Sequence, residues 1–258
     1  QREQQRAESA SLAKSQFLAT MSHEIRTPLS GMIGMLQLLR DDSVSRRQLE
    51  CIDSLELAAQ SLRHLIDDIL DFSRLEVGKL AIQNKRFAPL QIIEDVMVML
   101  APSAHHKELE FVLDIEGELP AEVMGDPLRF RQVLINLTAN AIKFTDNGEV
   151  LVLVRCVDTT MEGWRNVRFE VRDSGIGIPI EKQSLVFDSF TQIDEGDARS
   201  YGGSGLGTTV SRELLDLMGG KIGLESESGH GSCFWFELPW EIITEYEPVK
   251  VVAEQVAL

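Results

Sequence analysis

The sequence predicts an α+β protein: a helical hairpin that dimerises into a four-helix bundle, followed by an α/β sandwich. Three observations predict it. Apolar residues step by three, four and seven through the first quarter of the chain. A stretch with Gly78 and Pro89, at 76–90, then breaks that period. Beyond it, short strand-like runs mix with helical ones without strict alternation, which favours helices on one face of a mixed sheet.

The first helix is expected over 1–40. Met21, Ile25, Met32, Met35 and Leu39 mark its apolar face. Gln16, His23, Thr27, Ser30, Gly34 and Gln37 fall within roughly 40° of His23 at 100° per residue, so the imidazole points away from the apolar seam. Pro28 lacks a backbone N–H and its ring clashes with the carbonyl of Glu24, so a bend is expected beside His23. "RDDSVSR" at 40–46 makes a turn, and a second helix is expected over 45–75, with Ile52, Leu55, Ala59, Leu62, Ile66 and Ile69 at coiled-coil spacing. A lone hairpin cannot cover both apolar stripes, so a homodimer is expected.

The domain reading is 1–76 for the hairpin, 77–86 for a linker, 87–242 for the second domain and 243–258 for a tail or a linker onward. Within the second domain, strands are expected at 110–115, 149–155, 167–171, 221–226 and 233–238, with a hairpin over 149–172. Helices are expected near 89–100, 127–144 and 206–218.

The helix "GDPLRFRQVLINLTANAIKFT" is the most informative element. Asp126 suits its N-cap and Pro127 its first turn. One stripe, through Phe130, Val133, Leu134, Leu137, Ala141 and Phe144, is apolar. The other carries Arg129, Gln132, Asn136, Asn140 and Lys143. Asn competes with the helix for backbone hydrogen bonds, so two in mid-helix want a reason. Amide oxygens can ligate Mg²⁺, with water and nucleotide phosphate completing its octahedron, and Lys143 could neutralise a phosphate.

Two glycine-rich loops follow. In "VRDSGIGIP", Asp173 ends a strand, and an ionised carboxylate accepts hydrogen bonds only, as an exocyclic purine amine requires. Gly175 and Gly177 allow close backbone approach to a flat ring. In "YGGSGLGTTVSRELLDLMGG", Gly203, Gly205 and Gly207 leave N–H groups to face anions at a helix N-terminus. The alternating glycines exclude a Rossmann fingerprint, and the lack of Lys-Ser/Thr excludes a P-loop. Between the loops, 186–200 reads as a polar lid rooted on Phe187 and Phe190.

A formal net charge of −16 disfavours nucleic acid and anionic lipid as partners. Cys51, Cys156 and Cys233 show neither disulfide nor zinc spacing, which fits a reducing cytoplasmic compartment. No apolar run reaches the ~18 residues of a membrane span. The chain starts at Gln1 without Met and reads as a fragment, compatible with a full-length protein anchored in the inner membrane by an upstream part. His64, His105, His106 and His230 have no ligand spacing.

These motifs, in this order, resemble the sensor histidine kinases of two-component signalling. "SHEIRTP" is similar to that family's H box, "NLTANAIKFT" to its N box, "DSGIGIP" and "GGSGLG" to its two glycine boxes, and "FDSF" to its F box. The stretch "FLATMSHEIRTPL" looks most like hybrid kinases, which carry their own receiver domain. The resemblance implies an ATP-binding domain of the histidine kinase, chaperone and gyrase type. It implies that His23 takes the γ-phosphoryl group of ATP, that Glu24 orients the imidazole and accepts its proton, and that Thr27 places water when a partner's phospho-aspartate is hydrolysed. It implies Mg²⁺ on Asn140 with Asn136 near it, phosphate on Lys143 and adenine on Asp173. It adds Phe187, Phe190, Arg199, Gly203, Gly205, Leu206 and Gly207 to the nucleotide site. The phosphoryl acceptor would be an aspartate of a response-regulator receiver domain. One departure stands out: Thr208 and Thr209 follow "GGSGLG", where the family usually continues with Leu and a small or aliphatic residue.

Two alternatives stay open at this point. An ATPase clamp of the chaperone or gyrase type needs a carboxylate one turn before Asn140, where this chain has Asn136, which cannot act as a base. A non-catalytic nucleotide-binding dimerisation module is opposed only by the intact His23 and Asn140.

Overall fold

A computed structural model describes residues 25, 29–32, 34–36, 39, 48, 52, 55, 59, 62, 66–67, 69–75, 78, 80–157, 163–188 and 205–244. The chain divides into two compact units, Gln1–Ala81 and Ile82–Leu258. Among the described residues no helix is long and apolar enough to cross a membrane.

In the first unit, every described residue from Ile25 to Leu75 is helical. Leu29, Ile52, Ile66 and Leu70 are buried. A second heptad-spaced set is not: Leu55, Leu62 and Ile69 are 56%, 44% and 39% exposed, and Met32, Met35 and Leu39 are exposed too. The unit thus covers one apolar stripe and leaves another facing out.

The second unit is built from β1 (Lys85–Phe87), α1 (Pro89–His106), β2 (Glu110–Glu116), β3 (Glu122–Gly125), α2 (Pro127–Phe144), β4 (Glu149–Val157), β5 (Trp164–Asp173), α3 (Ile180–Gln183), α4 (Gly207–Leu217), β6 (Lys221–Glu227) and β7 (Gly231–Thr244). The strands form one mixed sheet in the order β1-β3-β7-β5-β4-β2, with β6 pairing β7. Only β2 and β4 run parallel; the other pairs are antiparallel, including the β4–β5 hairpin anticipated from sequence.

Period-2 alternation gives β4, β5 and β7 a core face of Val150, Val152, Val154, Val167, Phe169, Val171, Phe236 and Leu238, nearly all fully buried. Phe130 of α2 meets this face, its ring centroid 5.1 Å from those of Phe169 and Trp240. The helices α1, α2 and α4 lie against one another in the order α1–α2–α4, so α2 is the central helix over the sheet.

Three details differ from the sequence reading. Lys85–Phe87, within and beside the stretch read as linker, forms β1 on β3. The four-residue β3 was not anticipated. Helix α1 runs past 100 to His106, through Pro102. Its last turn is held by buried Ala104 and by bonds from Glu108 N to His105 O (2.9 Å) and from Leu109 N to Ala104 O (3.0 Å). This is the Schellman arrangement, which satisfies the His105 and Ala104 carbonyls at the helix end.

Candidate functional site

The site grows out of α2. Asp126 caps it as the sequence suggests: Oδ1 accepts from Leu128 N and Arg129 N, both at 3.1 Å. Oδ2 accepts from Gln83 N at 2.8 Å. The apolar stripe of Phe130, Val133, Leu134, Leu137 and Ala141 is buried. The polar stripe is not a solvated face: Arg129, Gln132, Asn136, Asn140 and Lys143 are all half-buried. At the far end, Lys107 Nζ donates to Ile142 O, Lys143 O and Thr145 O at 3.0, 2.7 and 3.0 Å. A cation there complements the helix dipole and occupies carbonyls that have no partner within the helix.

Half-burial makes the polar stripe informative, because a half-buried polar group without a partner is costly to hold. Asn136 Nδ2 reaches Gly207 O and Ser211 Oγ, both at 3.4 Å. The Asn140 amide makes no hydrogen bond to any described residue. Lys143 Nζ sits 4.6 Å from the Phe144 ring centroid, with no carboxylate in ion-pair range among the described residues. Burial lowers its ammonium pKa. Among the described residues, the Asn140 amide and the Lys143 ammonium are thus left without polar partners.

The first glycine loop lies against the C-terminal end of α2. Asp173 Oδ1 accepts from Gly175 N (2.9 Å) and Ser232 N (3.3 Å), and Oδ2 has no donor among the described residues. Burial pushes the Asp173 carboxyl pKa up, and the two N–H donors pull it back only in part. Gly175 is required by contact: a Cβ there would stand 2.4 Å from Phe144 O. Gly177 is required twice over, by its φ of +65° and by the 2.0 Å that would separate a Cβ from Glu227 O.

The loop is backed by residues that the sequence did not single out. Ile178 N donates to Ser226 Oγ at 2.8 Å, and Ser226 Oγ donates to Gly231 O at 2.9 Å. Gln183 Nε2 donates to Ile178 O and Ser226 O. The facing ends of β6 and β7 look like any other strand ends in sequence, so only their contacts reveal their part.

The second glycine loop enters α4. Gly205 has φ +66°, Leu206 is buried, and the helix begins at Gly207 with no side-chain cap. Its first-turn N–H groups are therefore not taken up by a capping side chain. Phe187 is half-buried, with its ring 6.4 Å from that of Phe234. Thus α2 touches both loops, at Gly207 through Asn136 and at Gly175 through Phe144 O. A shallow cavity of about 340 Å³ lined by Phe87, Pro127, Leu128 and Arg131 lies at the opposite end of α2 and contains none of these groups. His23, Glu24, Thr27, Phe190, Arg199 and Gly203 lie outside the described residues.

Two family models match the chain in succession. The His Kinase A (phospho-acceptor) domain matches 13–78, and the Histidine kinase-, DNA gyrase B-, and HSP90-like ATPase matches 125–242. The solved catalytic domain of histidine kinase ThkA is 30% identical, with a TM-score of 0.50, over 61% of this chain and 95% of that one. The chain belongs to the histidine kinase family. It has the make-up of a sensor histidine kinase catalytic core, with an ATP-binding domain of the family's type. Full-length ShkA, solved in complex with AMPPNP, is 33% identical with a TM-score of 0.69, over 89% of this chain and 46% of that one. The sensory/regulatory protein RpfC of Xanthomonas campestris pv. campestris is 41% identical over 95% of this chain. The kinase core described here spans about a third of RpfC's length. His23, Glu24 and Thr27 fall within the phospho-acceptor match, and the glycine loops within the ATPase match.

Proposed function

We propose that this chain phosphorylates His23 from Mg-ATP and passes the phosphoryl group to an aspartate of a receiver domain, in the same protein or another. The observation that carries the reading is Asp173. It is a desolvated carboxylate with one oxygen fixed by two N–H groups and the other left over. Oδ2 would accept the adenine amine, while the glycines of 175 and 177 keep the loop low enough for the ring. The N–H groups at the start of α4 and the Lys143 ammonium would meet the phosphates.

The residues also fit a hard cation, since among the described residues the Asn140 amide has no partner and Asn136 Oδ1 is without a donor. Mg²⁺ held there would neutralise charge on the phosphates. Glu24 would hold the N–H of one His23 nitrogen so that the other carries the attacking lone pair, and would accept that proton as the P–N bond forms. That nitrogen bonds to the γ-phosphorus as the bond to the β-phosphate oxygen breaks and ADP leaves. In the second step the P–N bond breaks and the receiver's carboxylate takes the phosphoryl group. Thr27 would position water for hydrolysis of the phospho-aspartate, a phosphatase activity.

The exposed heptad stripe of Leu55, Leu62 and Ile69 supports a homodimer, because a second copy would bury it. Each such side chain contributes roughly 1.5–3 kcal/mol when fully covered.

Incubation with γ-labelled ATP tests the reading. Acid-labile, base-stable label on the wild type and none on His23→Gln is expected. Steady phosphate release without protein label would replace it with an ATPase clamp, and nucleotide binding with neither outcome with a regulatory module.

A further inference from the structure

Thr208 and Thr209, the departure noted in the second glycine box, make two hydrogen bonds that the nucleotide reading does not use. They stand in the first turn of α4. Thr208 Oγ1 donates to Val186 O at 2.7 Å, and Thr209 Oγ1 donates to Phe187 O at 3.1 Å. A threonine within a helix ordinarily faces water or returns its hydroxyl to a carbonyl one turn back, as Ser211 Oγ does here to Gly207 O at 2.8 Å. These two instead reach out of the helix to consecutive carbonyls of another segment. Val186 and Thr209 are buried, so each bond has one partner shielded from water. Neither carbonyl accepts a backbone bond from a described residue.

The same helical turn is held from the other side. Gly207 O accepts from Asn136 Nδ2 of α2. The start of α4 is therefore pinned between the helix carrying Asn136 and Asn140 and the turn carrying Phe187, whose ring lies against Phe234. We infer that Thr208 and Thr209 are positioning residues for the nucleotide: they lock the turn at 186–187 to the first turn of α4, and so fix where the start of that helix presents its N–H groups. This rests on the reading of the loop as the phosphate side of an ATP site. A leucine at 208, as the family usually has there, could supply contact but no donor.

Thr→Val removes each hydroxyl at nearly constant shape, and Thr→Ser keeps it. Thr208→Val and Thr209→Val are each expected to raise KM for ATP about 3- to 10-fold, in proportion to one net hydrogen bond. The kcat per folded molecule should stay within about twofold. Thr208→Ser and Thr209→Ser should keep KM within about twofold of wild type. Binding of a non-hydrolysable ATP analogue, measured on the same full chains by titration calorimetry, should follow KM. Folding is checked by circular dichroism. If Thr209→Val fails to fold, the half-buried Thr208 pair decides alone. Unchanged KM and affinity in Thr208→Val, or a Ser variant as impaired as the Val variant, would overturn the inference. Failure of the wild type to bind the analogue would instead sink the nucleotide reading beneath it.

Discussion

Two carboxylates on strand β5, three residues apart, have opposite surroundings. Glu170 lies on the sheet face away from the helices and is 3% exposed. Arg168 Nε and Arg172 Nη2 stand 2.8 and 2.5 Å from its oxygens, with Arg155 Nη1 at 3.7 Å. Burial alone would raise its pKa, but the hydrogen bonds from Arg168 and Arg172 and the nearby charges outweigh it, and the pKa is lowered. Asp173 follows the parity of Phe169 and Val171, on the helix side, where β5 ends. Among the described residues it has no arginine, only two N–H donors on one oxygen, and its pKa is raised. A buried carboxylate whose oxygens are both met is part of the frame. One with an oxygen left over is where the proposed nucleotide would bind.

That contrast predicts that the two can be broken separately. Glu170→Ala has the largest expected effect. It leaves Arg155, Arg168 and Arg172 facing one another without their shared anion. Removing one member of a buried ion pair costs about 3–5 kcal/mol, and the lower end applies because the arginines keep some contact with water. The melting temperature should fall by roughly 6–12 °C, while the affinity of the remaining folded molecules for an ATP analogue stays within twofold. Loss of affinity at temperatures well below melting would erase the contrast.

Asp173→Asn should do the reverse. The amide keeps an acceptor for Gly175 N and Ser232 N but turns an N–H toward the adenine amine. Losing a charge-assisted hydrogen bond costs about 1.5–3 kcal/mol, or roughly 10- to 100-fold in affinity. Stability should hold or rise slightly, because a desolvated carboxylate opposes folding. Affinity within threefold of wild type by calorimetry would refute the adenine role.

The two also respond oppositely to acid. Asp173, with its pKa raised in the fold, holds a proton more tightly there than in the unfolded chain. Its share of stability is greatest below the unfolded value and is lost as pH rises through the folded one. Glu170, with its pKa lowered, stabilises above the unfolded value, and that share is lost only as pH falls through the folded one. On acidification, nucleotide affinity should therefore fail first, as Asp173 protonates, with the fold intact. Parallel titrations of analogue binding and melting temperature would check the order. The acid loss of binding should flatten in Asp173→Asn. Coincident loss of binding and fold would contradict it.

How far the sequence anticipates this depends on the range of the interactions. Helix α2 is legible because Asp126, Pro127 and its two stripes are local signals, and Asn136 and Asn140 stand out because Asn is costly in mid-helix. Asp173 and the glycines are legible as a strand end followed by turns. The supports are not. Ser232 meets Asp173 across 59 residues, Ser226 meets Ile178 across 48, and Lys107 closes α2 across 36. Ser and Lys at surface turns carry no local mark of such contacts. Strands β1 and β3, of three and four residues, are too short for a period to register. The distinction between Glu170 and Asp173 was hidden for the same reason: Glu170 follows Arg168 by two residues and Asp173 directly follows Arg172, so each has an arginine close by in sequence, and only cross-strand packing separates them.

A third carboxylate sharpens the contrast by doing nothing through its charge. Glu108 is exposed and has φ +54°, just beyond the end of α1. It fills the left-handed position of the Schellman turn, where glycine is preferred. Left-handed backbone costs a side-chain-bearing residue about 1–2 kcal/mol. Glycine in turn adds roughly 0.5–1 kcal/mol of unfolded-state entropy. Glu108→Gly should therefore stabilise by about 0.5–1 kcal/mol and raise the melting temperature by roughly 1–4 °C. Glu108→Gln should leave it unchanged, since it removes the charge and keeps the strain. Neighbouring Lys107 is anchored on α2 by its own three bonds, so affinity for the ATP analogue should not move in either variant. Were Gln to stabilise as much as Gly, the effect would be electrostatic, and this carboxylate would have to be counted with Glu170 and Asp173 as a charge that the fold notices.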